Sequence, residues 1–294
     1  MIKALAAAKI NLYLDVIRRR GDGYHDIETF YQPVSLYDEL VFERAASGVA
    51  LAGDDPAVPW NEENLCHRAA RLVIERGGVR GGVRISCRKG IPPGAGLGGG
   101  SADAAATLIA VNRLLDARLG REELLELGAR LGSDVPFFVL GRPAIGRGRG
   151  EILEDVSGLP GGWILIVKPN LSISTKWAYE NINLLLTKDI GKATLTTLLA
   201  HLHGFPNTAL ATHNSFEAGV IERFPEVAGV LAALREARPV LSSLSGSGSA
   251  CFAIFGEERE AREARGRFVG GNCFTRIVQP IPEAVKLGQE RERF

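Results

Sequence analysis

Ile91-Pro92-Pro93-Gly94-Ala95-Gly96-Leu97-Gly98-Gly99-Gly100-Ser101-Ala102-Asp103 is the stretch on which the reading of this chain turns. Five glycines fall between positions 94 and 100, and an alanine-rich apolar run containing Ala102 and Ala104 to Ala106 follows at once. Glycine lets backbone N–H groups approach an anion with no side chain in the way. The spacing predicts a helix from Ser101 to about Leu115, whose N-terminus adds unpaired N–H groups and a partial positive charge. Pro92, Gly94, Ala95, Gly96, Leu97, Gly98, Gly99, Gly100 and Ser101 therefore read as a phosphate cradle. Ser101 is placed to cap the helix, or to meet phosphate or metal.

Rival readings of the loop fail on their neighbours. A flexible linker does not end abruptly in an apolar helical segment. Gly94-x-Gly96-x-x-Gly99 matches the dinucleotide fingerprint formally, but Gly90-Ile91-Pro92-Pro93 stands where a strand must enter the first glycine. A Walker loop requires Gly-Lys-Ser/Thr, which is missing here.

Outward from the loop, the sequence predicts strands at Ile2–Val16, Ile27–Leu36, Glu39–Glu43 and Gly81–Cys87, with helices at Glu62–Arg76 and Arg121–Leu131. Gly141–Gly150, rich in glycine and arginine, leads through Glu151–Leu153 to Ser157-Gly158-Leu159-Pro160-Gly161-Gly162, the best place for a domain boundary. Beyond it come an apolar strand at Trp163–Val167, helices at Thr175–Asn183, Leu195–Leu202, Phe224–Arg238 and Glu257–Phe268, and strands at Leu241–Leu244, Cys251–Phe255 and Thr275–Ile281. Irregular alternation with early hairpin-like pairs points to an α+β chain of two domains, 1–158 and 159–294.

The bulk numbers narrow the partners. The 294 residues carry 35 basic and 34 acidic side chains, so no charge excess favours a nucleic acid. No apolar run reaches the length of a membrane span. The start, Met1-Ile2-Lys3 and then Ala4 to Ala8, is interrupted by Lys9 and Asn11 before a signal-peptide core develops. Cys66, Cys87, Cys251 and Cys273 form no C-x-x-C pair and read as reduced thiols. The expectation is a cytoplasmic protein, monomer or homodimer, acting on small molecules.

Three separated motifs carry a family resemblance: Ala8-Lys9-Ile10-Asn11-Leu12-Tyr13-Leu14, Pro92 to Asp103, and Leu244-Ser245-Gly246-Ser247-Gly248-Ser249-Ala250-Cys251. The chain resembles the GHMP kinase superfamily. Within it, Asp22-Gly23-Tyr24-His25, Gly132-Ser133-Asp134-Val135-Pro136-Phe137-Phe138 and His213-Asn214-Ser215-Phe216-Glu217 resemble the branch that phosphorylates 4-diphosphocytidyl-2-C-methyl-D-erythritol. Ser215 departs from the acidic residue that family usually carries there.

The resemblance implies a two-domain GHMP kinase fold, with a ribosomal protein S5 domain 2-like N-terminal half and a ferredoxin-like C-terminal half. It implies ATP as donor with Mg²⁺ arriving alongside it, Asp134 as general base, and Lys9 as its cationic partner. Read alone, Asp134 is better explained by helix capping, and the resemblance reverses that. The resemblance places Asn64 and Lys89 near the adenine, although both are ordinary surface types. Tyr24, Tyr31 and Tyr179 would line a cytidine pocket, with His25 meeting the base edge and Asn11 and Thr175 bonding the diphosphate and the erythritol. Each tyrosine alone reads more commonly as a half-buried core aromatic. Gly246 and Ser247 would face the glycine loop across the cleft, or simply form a hairpin turn. Homoserine or mevalonate as acceptor, and a nucleotide-binding regulator without catalysis, stay open at this point.

Overall fold

The computed structural model describes residues 1–182 and 194–288; Asn183, at the end of one predicted helix, lies outside them. Strands β1 (Ile2–Arg19) and β2 (His25–Ala45) form one long antiparallel hairpin around which everything else is arranged. The strands predicted at 27–36 and 39–43 are thus one strand, bent rather than broken at an irregular register.

The hairpin supports a sheet in the order β11-β1-β2-β4-β3, with β3 at Gly48–Gly53, β4 at Gly82–Arg88 and β11 at Val285–Gly288. A second hairpin, β5 (Ala144–Arg147) and β6 (Ile152–Asp155), adds to β2. Its glycine- and arginine-rich turn disguised it as linker in the sequence. On one face of this sheet lie α1 (Leu65–Gly77), α2 (Gly99–Leu115), α3 (Arg121–Leu131) and α4 (Val135–Leu140). The helix α2 packs through Ala102, Ala104, Ala105 and Ala106, all fully buried, and these small residues allow the close approach. Its first turn begins two residues earlier than the sequence suggested, with Gly98 as N-cap, so Ser101 does not cap it. Gly98 (φ 75) holds a left-handed conformation that few side chains tolerate.

The second sheet runs β10-β7-β9-β8, with β7 at Trp163–Pro169, β8 at Leu241–Leu244, β9 at Cys251–Phe255 and β10 at Cys273–Val278. Between β7 and β8 lie α5 (Thr175–Glu180), α6 (Leu195–Leu202), α7 (Glu217–Arg223) and α8 (Pro225–Glu236); α9 (Glu258–Gly266) joins β9 to β10. With α8 and α9 as its covering helices, this is the split βαβ arrangement of a ferredoxin-like unit. Residues of β7 alternate between two cores. Leu165 and Val167 pack with Val227 and Leu231 of α8, whereas Ile164 and Ile166 pack with Ile10 and Leu12 of β1. A strand buried on both faces reads as continuously apolar, as Trp163–Val167 does.

A buried charge cluster ties α2 to the sheet. The Lys89 ammonium lies between the carboxylates of Asp38 and Asp103, at 2.6 Å from the latter. Burial works against the lysine charge, but the two carboxylates outweigh it and raise its pKa. The Asp103 carboxyl is pushed up to about 8, by burial first and then by the neighbouring Asp38, against the pull of Lys89. Asp38 also accepts the N–H groups of Gly90 (2.7 Å) and Ile91 (2.8 Å), so it fixes the start of the glycine segment. Lys89→Met leaves two buried carboxylates facing each other. It should cost roughly 3–5 kcal/mol of stability, read as a lowered midpoint in urea unfolding. An unchanged midpoint would show that the cluster does not tie the helix to the sheet.

Candidate active site

Lys9 and Asn11 sit on the central strand, and a register irregularity decides where they point. Before it, Ala4 and Ala6 face the helices; between Ala7 and Ala8 the pairing with β2 shifts. After it, Ile10 and Leu12 enter the core against the second sheet, while Lys9 and Asn11 line a cleft of about 1060 Å³. Such irregularities re-aim side chains without breaking a strand. Asn11 is held by both ends: its oxygen accepts from the Lys9 ammonium at 2.5 Å and its amide donates to Thr29 at 2.8 Å.

The glycine loop lies directly on this strand. The Lys9 backbone N–H donates to the Leu97 carbonyl at 2.9 Å. A side chain on Gly98 would strike the Phe138 ring and the Lys9 stem, at 2.7 and 3.0 Å. Opposite, the turn at 245–250 closes on the loop: Ala250 N–H donates to the Ala95 carbonyl at 3.0 Å, and the Ser245 hydroxyl to the Gly96 carbonyl at 3.0 Å. A Cβ on Gly96 would fall 2.0 Å from the Ser245 carbonyl oxygen, so glycine is required by the approach of two backbones. Gly246 lies over the site itself, where a Cβ would be 3.3 Å from the Lys9 nitrogen. Together, Gly94, Gly96 and Gly98 ahead of α2 and Gly99, Gly100 and Ser101 in its first turn line the cleft, where a helix N-terminus supplies N–H groups to an anion.

Asp134 is the N-cap residue of α4, yet its side chain makes no capping bond. The carboxylate turns instead into the cleft. There it lies 3.6 Å from the Lys9 ammonium and accepts from the Tyr31 hydroxyl at 3.0 Å. Lys9 is only 3% exposed. Burial lowers its pKa from the ordinary lysine value, and the Asp134 charge partly restores it. The Tyr31 hydroxyl is pushed well up, by burial and then by Asp134, and stays protonated as a donor. Tyr31, expected among the base-pocket aromatics, is stacked on Phe137 beneath the carboxylate, with centroids 4.7 Å apart.

Tyr24, His25, Thr175 and Tyr179 line the other end of the same cleft. His25 and Tyr179 stack at 4.9 Å, and Phe216 meets Tyr179 edge-on at 4.9 Å. Tyr24 is more than half exposed, with the Arg149 guanidinium 4.8 Å from its ring centre. Burial, and then the Arg19 charge, lower the His25 pKa and favour the neutral ring. The Thr175 and Ser247 hydroxyls are 3.3 Å apart. At the far end, Asn64 lines the cleft while capping α1 through the Cys66 N–H (2.9 Å). Lys89 lines it too, but its ammonium is taken up by Asp38 and Asp103.

Sequence reasoning assigned no role to Asn214 and none to the partners of Lys89. Asn214 donates to the Leu244 and Gly246 carbonyls at 2.8 and 2.9 Å, and so hangs the 245–250 turn from the segment paired with Leu14. A buried amide directly after a histidine carries no sequence signal of its own. Ser215 donates to Asp15 at 3.0 Å and accepts the Val16 N–H at 2.9 Å. An acidic side chain there would face the Asp15 carboxylate, which accounts for serine in this chain. Among the described residues no cluster of three or more His, Cys, Asp or Glu could hold a metal ion, and no helix is long and apolar enough to cross a membrane.

Comparison with known proteins places this architecture. Residues 64–142 match the GHMP kinases N terminal domain and residues 202–270 the GHMP kinases C terminal domain. The 4-diphosphocytidyl-2-C-methyl-D-erythritol kinase of Syntrophus aciditrophicus is 39% identical over 264 residues, covering 90% of this chain and 93% of its own length. That of Thermodesulfovibrio yellowstonii is 37% identical over 290 residues, 97% of this chain and all of its own. A crystal structure of 4-(cytidine 5'-diphospho)-2C-methyl-D-erythritol kinase superposes with a TM-score of 0.80 at 37% identity, over 94% of this chain and 98% of that one. A homoserine kinase from Cytophaga hutchinsonii, at 21% identity and a TM-score of 0.72, shares the fold. The chain belongs to the GHMP kinases, in the family of the 4-diphosphocytidyl-2-C-methyl-D-erythritol kinases.

Proposed function

We propose that this chain transfers the γ-phosphoryl group of ATP to the 2-hydroxyl of 4-diphosphocytidyl-2-C-methyl-D-erythritol, a step of isoprenoid precursor synthesis outside the mevalonate route. The observation that carries the chemistry is a single one: a buried lysine and a carboxylate 3.6 Å apart, opening on the same cleft as the glycine loop. Family membership and the aromatic group at the opposite end of that cleft support the acceptor.

Phosphoryl transfer asks little covalent work of the protein; it needs in-line positioning and compensation of charge. In this reading the loop at 94–101 and the start of α2 hold the donor phosphates, and Mg²⁺ enters with ATP as part of the substrate. Asp134 takes the proton of the acceptor hydroxyl. The oxygen then attacks the γ-phosphorus, the bond to the β-phosphate oxygen breaks, and ADP leaves. Tyr31 holds one carboxylate oxygen, which keeps the other turned toward the acceptor and Lys9. The Lys9 ammonium faces the Asp134 carboxylate and offsets charge on the phosphoryl group in flight. Asn11 orients Lys9 and, with Thr175, Gly246 and Ser247, meets the middle of the acceptor. Tyr24, His25 and Tyr179 hold the cytosine. Asn64 and Lys89 belong to the adenine wall, Lys89 through the segment that it and Asp38 fix. The proposed units 1–158 and 159–294 contribute the nucleotide side and much of the acceptor side respectively.

Purified protein with Mg·ATP should release ADP with the cytidine diphosphate acceptor and not with mevalonate or homoserine; release with mevalonate alone would overturn the substrate. In the same assay Asp134→Asn should lower kcat by about 10²–10⁴ while ATP still binds, and turnover near that of the unmodified protein would remove Asp134 as the base. The alkaline limb of kcat should follow from Lys9. A lowered pKa means the proton is lost earlier, so activity should fall below the ordinary lysine range of about 10.4; a profile flat through that range contradicts the role. Tyr179→Ala should raise KM for the acceptor by the equivalent of roughly 1–3 kcal/mol, the worth of one stacked base, with KM for ATP unaltered. A loss confined to ATP would mean that the two ends of the cleft are reversed.

A further inference from the structure

Five cationic side chains line the cleft: Lys9, Arg19, Lys89, Arg149 and Lys176. Four of them are already matched with carboxylates. Lys9 faces Asp134 at 3.6 Å, and Lys89 lies between Asp38 and Asp103. Arg149 meets Glu151 at 3.2 Å, and Lys176 meets Glu180 at 3.9 Å. Arg19 has no such partner among the described residues. Its two neighbours show that this is not for want of acids nearby. Arg18 pairs with Asp26 at 2.6 Å, and Arg20 pairs with Asp22 and Asp26 at 3.0 Å each, so both local carboxylates are taken.

The position of Arg19 is as telling as its lack of a partner. It stands opposite His25 in the β1–β2 register, at the end of the cleft where His25 stacks on Tyr179. Burial lowers the His25 pKa first, and the nearby Arg19 charge lowers it further. The donor phosphates have the glycine loop and the α2 N-terminus to receive them. The acceptor also carries a diphosphate, joined to the nucleoside whose base is assigned to Tyr24, His25 and Tyr179. Among the described residues, Arg19 is the one lysine or arginine lining the cleft that no carboxylate pairs.

We infer that Arg19 is a specificity-determining residue that recognises the diphosphate of the acceptor and so separates cytidine diphosphate compounds from uncharged cytidine derivatives. This rests on the acceptor proposed above. A guanidinium suits the task, because its planar fork can give two parallel hydrogen bonds to phosphate oxygens. Its exposure sets the scale: the contact is partly screened by water and salt, and its contribution is that of a surface charge pair rather than a buried one.

The test is calorimetric titration of the full chain with cytidine diphosphate and with cytidine, for the unmodified protein, Arg19→Gln and Arg19→Lys. The unmodified protein should prefer cytidine diphosphate. Arg19→Gln should lose about fivefold in affinity for cytidine diphosphate and hold its affinity for cytidine, with KM for the acceptor rising by the same factor. Arg19→Lys, which keeps the charge without the fork, should retain part of the preference. The inference is overturned if Arg19→Gln keeps the full preference, or if both ligands weaken together, which would make Arg19 a support for the base pocket through His25. If the unmodified protein binds neither ligand, the acceptor assignment itself falls and this inference falls with it.

Discussion

An ammonium buried to 3% exposure must have its charge answered from nearby, and the site is organised around that requirement at Lys9. Asp134 supplies the opposite charge from α4 and Asn11 supplies an oxygen from the same strand. Gly246 covers the nitrogen from the far side with nothing bulkier than a hydrogen. Each of the three lies on a different part of the chain, so satisfying one lysine draws the first strand, the fourth helix and the 245–250 turn to a common point. The same geometry leaves the ammonium beside the loop at 94–101, where the proposed reading seats the donor phosphates.

The surrounding polar groups fix backbone. Asp38 fixes the entry to the glycine loop through two N–H groups, and Lys89 joins it to Asp103 on α2. Asn214 does the equivalent service for the opposing turn through two carbonyls. A segment with three left-handed glycines, at 94, 96 and 98, has little intrinsic preference for one shape. Its shape is therefore imposed from outside, by Leu97 on β1, by Ala95 and Gly96 on the turn, and by Asp38 beneath.

Much of this was legible in the sequence because it depends on local pattern. The glycine loop, the alanine-rich helix after it and the apolar strand at 163–167 each follow from composition and period, and the three spaced motifs pointed to the GHMP kinases. What escaped was non-local. The hairpin β5–β6 looked like linker because glycine and arginine dominate its turn, whereas its pairing is decided by β2. Whether Asp134 capped a helix or faced a cleft could not be read from Ser133-Asp134-Val135, since the deciding atoms are the Tyr31 hydroxyl and the Lys9 ammonium, over a hundred residues away. Lys89 looked like a surface lysine for the same reason: both of its carboxylates come from other elements.

The short strand β11 closes the outer edge of β1, with Lys3 to Ala6 opposite Val285 to Gly288. Pairing between residues so far apart in the chain has a bearing on biogenesis. A ribosome that has released the first two hundred residues has exposed a β1 whose outer row of amides and carbonyls still awaits the strand that will cover it, and an uncovered edge is open to pairing with other chains. The sheet that carries Lys9 is thus finished only once a segment distant in the sequence has emerged, so β1 stays open along that edge while the intervening chain is made.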